Sequence, residues 1–193
     1  MFLADTKEPL SQVDHFTKMI AGAELNVAMG LSRLGHNVSY MTQVGEDPFG
    51  EYIKDFLKKE QIDTSYIKET NIAPTGFQIK NQVDAGDPEV IYFRKGSAAS
   101  KSTKELLRDV DFSGSKILHV TGIFLALSEE TREMTKEMIR MAHQNGLTVT
   151  FDPNPRPVLW NSEEEMIKET NKLACMCDVV MPGFREGKLF TGL

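Results

Sequence analysis

Apolar positions recur along this chain in two rhythms, and the switches between them mark its elements. Leu25, Ala28, Met29, Leu31 and Leu34 fall at helical spacing within residues 23–35. They lie so nearly all round the axis that the helix is expected to be buried. Gly35 ends it, and Val38, Tyr40, Thr42 and Val44 then alternate as a strand. Phe49, Ile53, Phe56 and Leu57 mark a second helix. Ser102 with Glu105 has capping-box form ahead of Leu106, Leu107 and Val110, and residues 117–120 read as a short buried strand. Ser128, followed by Glu129 and Glu130, opens a helix through Met134, Met138, Ile139 and Met141 that Asn145-Gly146 closes. Residues 148–152 form a strand, and Ser162 with Glu165 has capping-box form before Met166, Ile167, Leu173 and Ala174. Residues 178–181 are the last strand. Strands alternating with helices of this length predict right-handed βαβ units, a parallel sheet and an α/β fold.

One segment breaks the rhythm. Phe77, Ile79 and Val83, then a polar turn at Asp84-Ala85-Gly86-Asp87-Pro88, then Val90-Ile91-Tyr92-Phe93 describe two alternating strands joined by a turn. That is an antiparallel hairpin, foreign to a parallel sheet. A two-stranded ribbon is marginal alone, so Phe77, Ile79, Val90 and Tyr92 need cover from a ligand or a second subunit. The expected organisation is a β lid of residues 1–16 and 75–94 on an α/β body of residues 17–74 and 95–193.

Charge narrows the partners. The 193 residues carry 22 Lys plus Arg against 28 Asp plus Glu, a formal charge of -6. No basic block stands ready to neutralise phosphates, so nucleic acid is not an expected partner. No apolar run is long enough to span a bilayer, and the N-terminus lacks a signal-peptide layout. The two cysteines, Cys175 and Cys177, are one residue apart. This spacing suits neither a disulfide nor, without further ligands, zinc, and buried thiols in a reducing cytoplasm are expected. The four histidines match no metal or triad spacing.

The candidate chemistry lies at strand ends, where doubly wound sheets bind ligands. In Asp152-Pro153-Asn154-Pro155-Arg156-Pro157, three prolines fix φ and remove amide donors. Asn154 and Arg156 could then keep their aim at a ligand with little ordering cost, or the loop is only a rigid turn with a solvated arginine. Gly22-Ala23-Glu24-Leu25-Asn26 sits at a loop-to-helix junction, where free amides attract anionic or hydroxyl-rich groups. The alternative is tight helix packing with Asn26 as a cap. Alternation puts Tyr92 and Arg94 on one face, a phenol beside a guanidinium, suited to a substrate with hydroxyls and a carboxylate or else a charge-protected strand edge. Neither a P-loop nor a Gly-x-Gly-x-x-Gly fingerprint occurs.

Taken together, Gly22-Ala23-Glu24-Leu25-Asn26, the glycines at 35, 45 and 50, Tyr92-Phe93-Arg94-Lys95-Gly96-Ser97-Ala98-Ala99-Ser100 and the 152–160 segment ending Val158-Leu159-Trp160 resemble the ribokinase-like (PfkB) carbohydrate kinases. Within that family they are most similar to the 2-keto-3-deoxygluconate kinases. The resemblance implies a ribokinase-like parallel sheet flanked by helices under a small β lid. It also implies ATP-dependent phosphorylation of 2-keto-3-deoxygluconate at its terminal hydroxyl, with ATP and Mg2+ as cofactors. The need of the ribbon for cover leads to an expected homodimer joined through the lid, and the free thiols to a cytoplasmic location. The matching substrate positions are Gly22, Ala23 and Asn26, Gln78 (tyrosine in several relatives), Tyr92, Arg94 and Arg156. Asn154 and Arg156 border the nucleotide side. The family's Asn-x-x-Glu motif falls on Gly183-Phe184-Arg185-Glu186, so only Glu186 carries over. The resemblance covers somewhat over half of a family member. It places a short first strand before Met1 and the Gly-Ala-Gly-Asp segment, with the catalytic base, beyond Leu193. No catalytic residue is therefore assigned in this chain, and residues 1–193 alone are expected to be inactive. Kinases for fructose or ribose, or a non-catalytic sugar-binding or assembly module, are the alternatives.

Overall fold

In a computed structural model that describes residues 1–193, the odd hairpin grows into a sheet of its own. The strands β1 (Phe2–Ala4) and β2 (Phe16–Lys18) come first, followed by the helix α1 (Ala23–Arg33). Next are β3 (Thr42–Gly45), the helix α2 (Pro48–Lys59), β4 (Ile67–Thr70), β5 (Phe77–Lys80) and β6 (Val90–Phe93). The flap is four-stranded, ordered β2-β1-β5-β6, with β1 parallel to β5 and both outer pairs antiparallel. Two backbone positions of an N-terminal segment, Phe2 and Leu3, thus cover an edge that a two-stranded ribbon would leave bare. All of these elements lie in one compact unit, Met1–Ala99. Within it β3 and β4 pair in parallel, as βαβ logic demands. Leu25, Ala28, Val44, Leu57, Ile62 and Ile67 form the core, with Val38 and Tyr40 packed against it.

The second unit, Ser100–Leu193, contains β7 (Ile117–Thr121), a short α3 (Gly122–Leu125), α4 (Glu129–Gln144) and β8 (Thr148–Asp152). It continues with α5 (Glu163–Ala174), β9 (Val179–Val180) and α6 (Phe184–Thr191). The three strands pair in parallel in the order β7-β8-β9. Val149 and Phe151 of β8 alternate inward with no exposed surface, and Leu125, Ile139, Met166 and Leu173 are equally buried. Each such side chain contributes about 1.5–3 kcal/mol relative to exposure. Both units therefore show the mixed α/β class with parallel sheets.

Local details depart from the sequence expectation in instructive places. On α1, Leu25 and Ala28 are buried, but Leu31 is 38% and Leu34 76% exposed in this structure. The helix buries one stripe, not its whole circumference. The strand expected from Val38 pairs only from Thr42, and Ser39 contributes an isolated bridge to Asp63. Ser102 and Glu105 start no α-helix. A 3-10 helix spans Lys104–Leu107, Thr103 at its N-cap makes no side-chain bond, and Ser102 is buried at 1% exposure. Ser162 accepts from the Glu165 backbone at 3.1 Å, but the Glu165 carboxylate bonds the Asn161 amide instead of closing the box. The Ser128 box is closed by Thr131. Cys175 is exposed, contrary to the expected burial, because Leu173 takes the inward position at the end of α5. The Cys177 thiol donates to the Leu173 carbonyl at 3.2 Å, and burial pushes its pKa up to about 12.

Candidate functional site

The flap assembles the first group of candidate residues. Its register pairs Gln78 with Tyr92 and Phe77 with Phe93. Cross-strand partners share a face, so Gln78, Tyr92, Val90 and Lys80 lie on one side and Phe77, Ile79, Ile91 and Phe93 on the other. This corrects the grouping of Phe77 and Ile79 with Val90 and Tyr92, because the register decides the face and period alone does not reveal it. The Arg94 guanidinium lies over the Tyr92 ring, 4.0 Å from its centroid, so the charge is held by the ring's negative face. A carboxamide, a phenol and a guanidinium thus share one side of the sheet. That set can donate to hydroxyls and pair with a carboxylate. The opposite side is aromatic: Phe77 stacks on Phe93 at 4.8 Å, and Phe2 and Phe49 approach Phe77 at 5.7 and 5.9 Å.

Gly22, Ala23 and Asn26 lie on the first turn of α1 in the same unit. Gly22 is the N-cap with φ +152°, a backbone that a side chain would strain, and its carbonyl accepts the Asn26 amide at 2.9 Å. No side chain caps this end of the helix, and the Asn26 side chain is exposed. The first-turn N–H groups are therefore open to a polar ligand.

A less obvious group sits below the flap. Asp47 caps α2, with Oδ1 accepting from Phe49 and Gly50 at 3.0 and 2.9 Å and Oδ2 accepting from the Thr75 amide at 2.7 Å. Burial pushes the Asp47 carboxyl up, but bonds from Thr75, Gly50 and Phe49 outweigh it and hold the pKa below the usual range. The sequence places Gly45-Glu46-Asp47 at a ligand-binding strand end but gives Asp47 no role of its own. The available signal was an acid between two glycines, Gly45 and Gly50, ahead of a helix.

The second unit carries the 152–157 loop at the carboxyl end of β8. Asn154 has φ +36°, a sparsely populated backbone for a non-glycine residue, and donates its amide to Asp152 Oδ2 at 3.1 Å. Arg156 donates Nη1 to the Pro155 carbonyl at 2.8 Å, which fixes one prong of the guanidinium and leaves the rest of the fork for a ligand. Gly122, at the end of β7, touches this loop: a Cβ there would lie 2.0 Å from the Pro153 carbonyl oxygen. Glu186 stands apart from the loop residues in its engagement. Its carboxylate accepts from the Gly183 amide at 2.8 Å and closes the N-terminus of α6. No group of three His, Cys, Asp or Glu could hold a metal ion. These residues do not by themselves fit a magnesium site, and no step below runs through one. Two shallow hollows, about 500 Å3 beside His143 and Cys175 and about 440 Å3 beside Asp47 and Glu69, contain none of the residues singled out for substrate or nucleotide. No helix is long and apolar enough to cross a membrane.

The model of the pfkB family carbohydrate kinases matches residues 2–193. A 2-dehydro-3-deoxygluconokinase from Bacillus subtilis is 44% identical over 194 residues, covering 100% of this chain and 60% of the relative. A 5-dehydro-2-deoxygluconokinase from Clostridium perfringens is 30% identical, covering 98% of this chain and 56% of the relative. Among solved structures, a PfkB protein from Polaromonas sp. JS666 superposes with a TM-score of 0.95 at 39% identity, over 100% of this chain and 65% of the other. The chain thus spans about 60% of the length of the curated relatives it matches.

Proposed function

The chain belongs to the pfkB family of carbohydrate kinases, and from that premise we propose that the whole protein phosphorylates 2-keto-3-deoxygluconate at its terminal hydroxyl. The observation that carries the choice of an acidic sugar is the Tyr92–Arg94 pair, ring against guanidinium at 4.0 Å, on the same face as Gln78. A neutral hexose or pentose would leave the charge of a cation presented beside a phenol without a counter-charge, whereas a sugar acid offers it a carboxylate. In this reading Gly22, Ala23 and Asn26 hold substrate hydroxyls at the start of α1. Arg156 pairs with the carboxylate, and Asn154 and Arg156 face the nucleotide. Glu186 stands near the phosphate side. ATP supplies the phosphoryl group, the catalytic base belongs to the remainder of the protein, and the reaction takes place in the cytoplasm.

The test is a substrate panel on the complete protein with ATP: 2-keto-3-deoxygluconate, 5-keto-2-deoxygluconate, fructose and ribose. The expected result is the highest kcat/KM for the first. A higher value for fructose or ribose rejects the acidic-sugar reading. Calorimetric binding of the sugar acid with no ATP consumption would instead favour a sugar-binding module.

The lid of residues 1–16 and 75–94 closes over the sugar, keeping out water that would otherwise accept the phosphoryl group. Its other face pairs with a second copy. Ile91 and Phe93 are 40% and 48% exposed on the aromatic side, away from Gln78 and Tyr92. Ile91→Asp or Phe93→Asp is expected to shift a dimer towards monomer by light scattering and to raise the sugar-acid KM with it. A wild type that is monomeric at micromolar concentration, or a variant that stays dimeric, rejects the interface.

A further inference from the structure

We infer that Asp47, acting through Thr75, is a positioning residue that sets where the flap holds Gln78, Tyr92 and Arg94. The inference rests on the proposed sugar-binding role of that face and adds what fixes its placement. Thr75 is 5% exposed and stands two residues ahead of β5, at the root of the outgoing flap strand. Its amide donates to Asp47 Oδ2 at 2.7 Å. Its hydroxyl accepts from the Gly45 amide at 2.8 Å. The Asp47 carboxylate and the Thr75 hydroxyl together tie the end of β3, the start of α2 and the root of the flap into a single knot.

The packing around the knot leaves no slack. A Cβ at Gly45 would lie 2.3 Å from Asp47 Oδ2 and 2.7 Å from the Thr75 amide nitrogen. A Cβ at Gly50 would lie 2.3 Å from the Gly45 carbonyl oxygen and 3.2 Å from Thr75 Oγ1. The returning strand is tied at the same level. Ala98 donates its amide to the Pro74 carbonyl at 2.8 Å, and a Cβ at Gly76 would meet the Cβ atoms of Ser97 and Arg94 at 3.1 and 3.3 Å. A shift of Thr75 is thus passed directly to Arg94. Displacements near 1 Å at a binding site can cost on the order of a hundredfold in rate.

The chemistry chooses the variants. Whichever way an amide turns in Asp47→Asn, its NH2 faces backbone N–H donors on α2 or on Thr75, and one tie is lost. Thr75→Val removes the hydroxyl while keeping the shape and the α2 cap, and Thr75→Ser keeps the hydroxyl. In the complete protein, hydrogen exchange of amides 77–93 is expected to quicken about tenfold or more in Asp47→Asn and Thr75→Val, as loss of about one buried hydrogen bond would give. The sugar-acid KM is expected to rise about tenfold with the ATP KM unchanged, and Thr75→Ser to behave as wild type. Unchanged exchange in both variants overturns the inference, as does faster exchange with an unchanged sugar-acid KM. Equal rises in both KM values also overturn it, since they would mark a general folding defect. If the wild type phosphorylates no sugar acid, the proposed function fails instead, and the exchange measurement still decides whether Asp47 ties the flap.

Discussion

Replacing Arg156 by alanine in the complete protein is expected to raise the KM for 2-keto-3-deoxygluconate by about ten- to a hundredfold while leaving the melting temperature nearly unchanged. The first part follows from losing a charge-assisted hydrogen bond of about 1.5–3 kcal/mol. The second follows from the structure, in which the guanidinium bonds only the neighbouring Pro155 carbonyl and so supports no distant element. Prolines on both sides hold the backbone, so the side chain is presented with little further loss of freedom on binding. Lysine should restore little of the affinity, because an ammonium cannot present the planar fork a carboxylate accepts. Steady-state kinetics on the alanine and lysine variants provide the check. An unchanged KM in Arg156→Ala would remove Arg156 from the substrate site.

The loop around Arg156 was legible because proline and glycine act locally, and a strand end followed by alternating prolines has few backbone solutions. The flap strands were legible for a similar reason, since period-two alternation in residues 77–80 and 90–93 needs no tertiary information to be seen. Which face each residue joins did need it. Pairing Phe77 with Phe93 sends Tyr92 to the Gln78 side, and a register one residue different would have reversed that. The Asp47 knot stayed hidden because its two halves are 28 residues apart in sequence. Ser102 and Glu105 show the opposite failure, a correct local capping pattern overruled by the burial of Ser102. Family resemblance supplied roles for Gln78 and Glu186 that neither residue announces by itself.

Gly122→Ala is expected to destabilise the protein by about 2–3 kcal/mol, the upper part of the range for overpacking. For a protein of this size that corresponds to a fall of about 5–10 °C in Tm. The cause is steric, not conformational, since the added Cβ would lie 2.0 Å from the Pro153 oxygen and 3.0 Å from its carbonyl carbon. Neither partner can turn aside cheaply. Pro153 has its φ locked by the ring, Asp152 is held opposite Thr121 in the parallel ladder, and Asn154 already sits at φ +36°. Relief must come from parting β7 and β8 or from tilting the 153–156 segment, and the second route moves Asn154 and Arg156. Sugar-acid affinity is therefore expected to fall together with Tm, unlike Arg156→Ala, where affinity falls alone. Gly30→Ala is the matched control. It lies within α1 with nothing within 4 Å of its added Cβ, and should stabilise by about 0.5–1 kcal/mol through helix propensity. Calorimetric melting with sugar-acid titration on the two variants separates the cases. A Gly122→Ala protein that melts and binds like the wild type would show that the loop does not rest on β7, and that Arg156 takes its aim from the prolines alone.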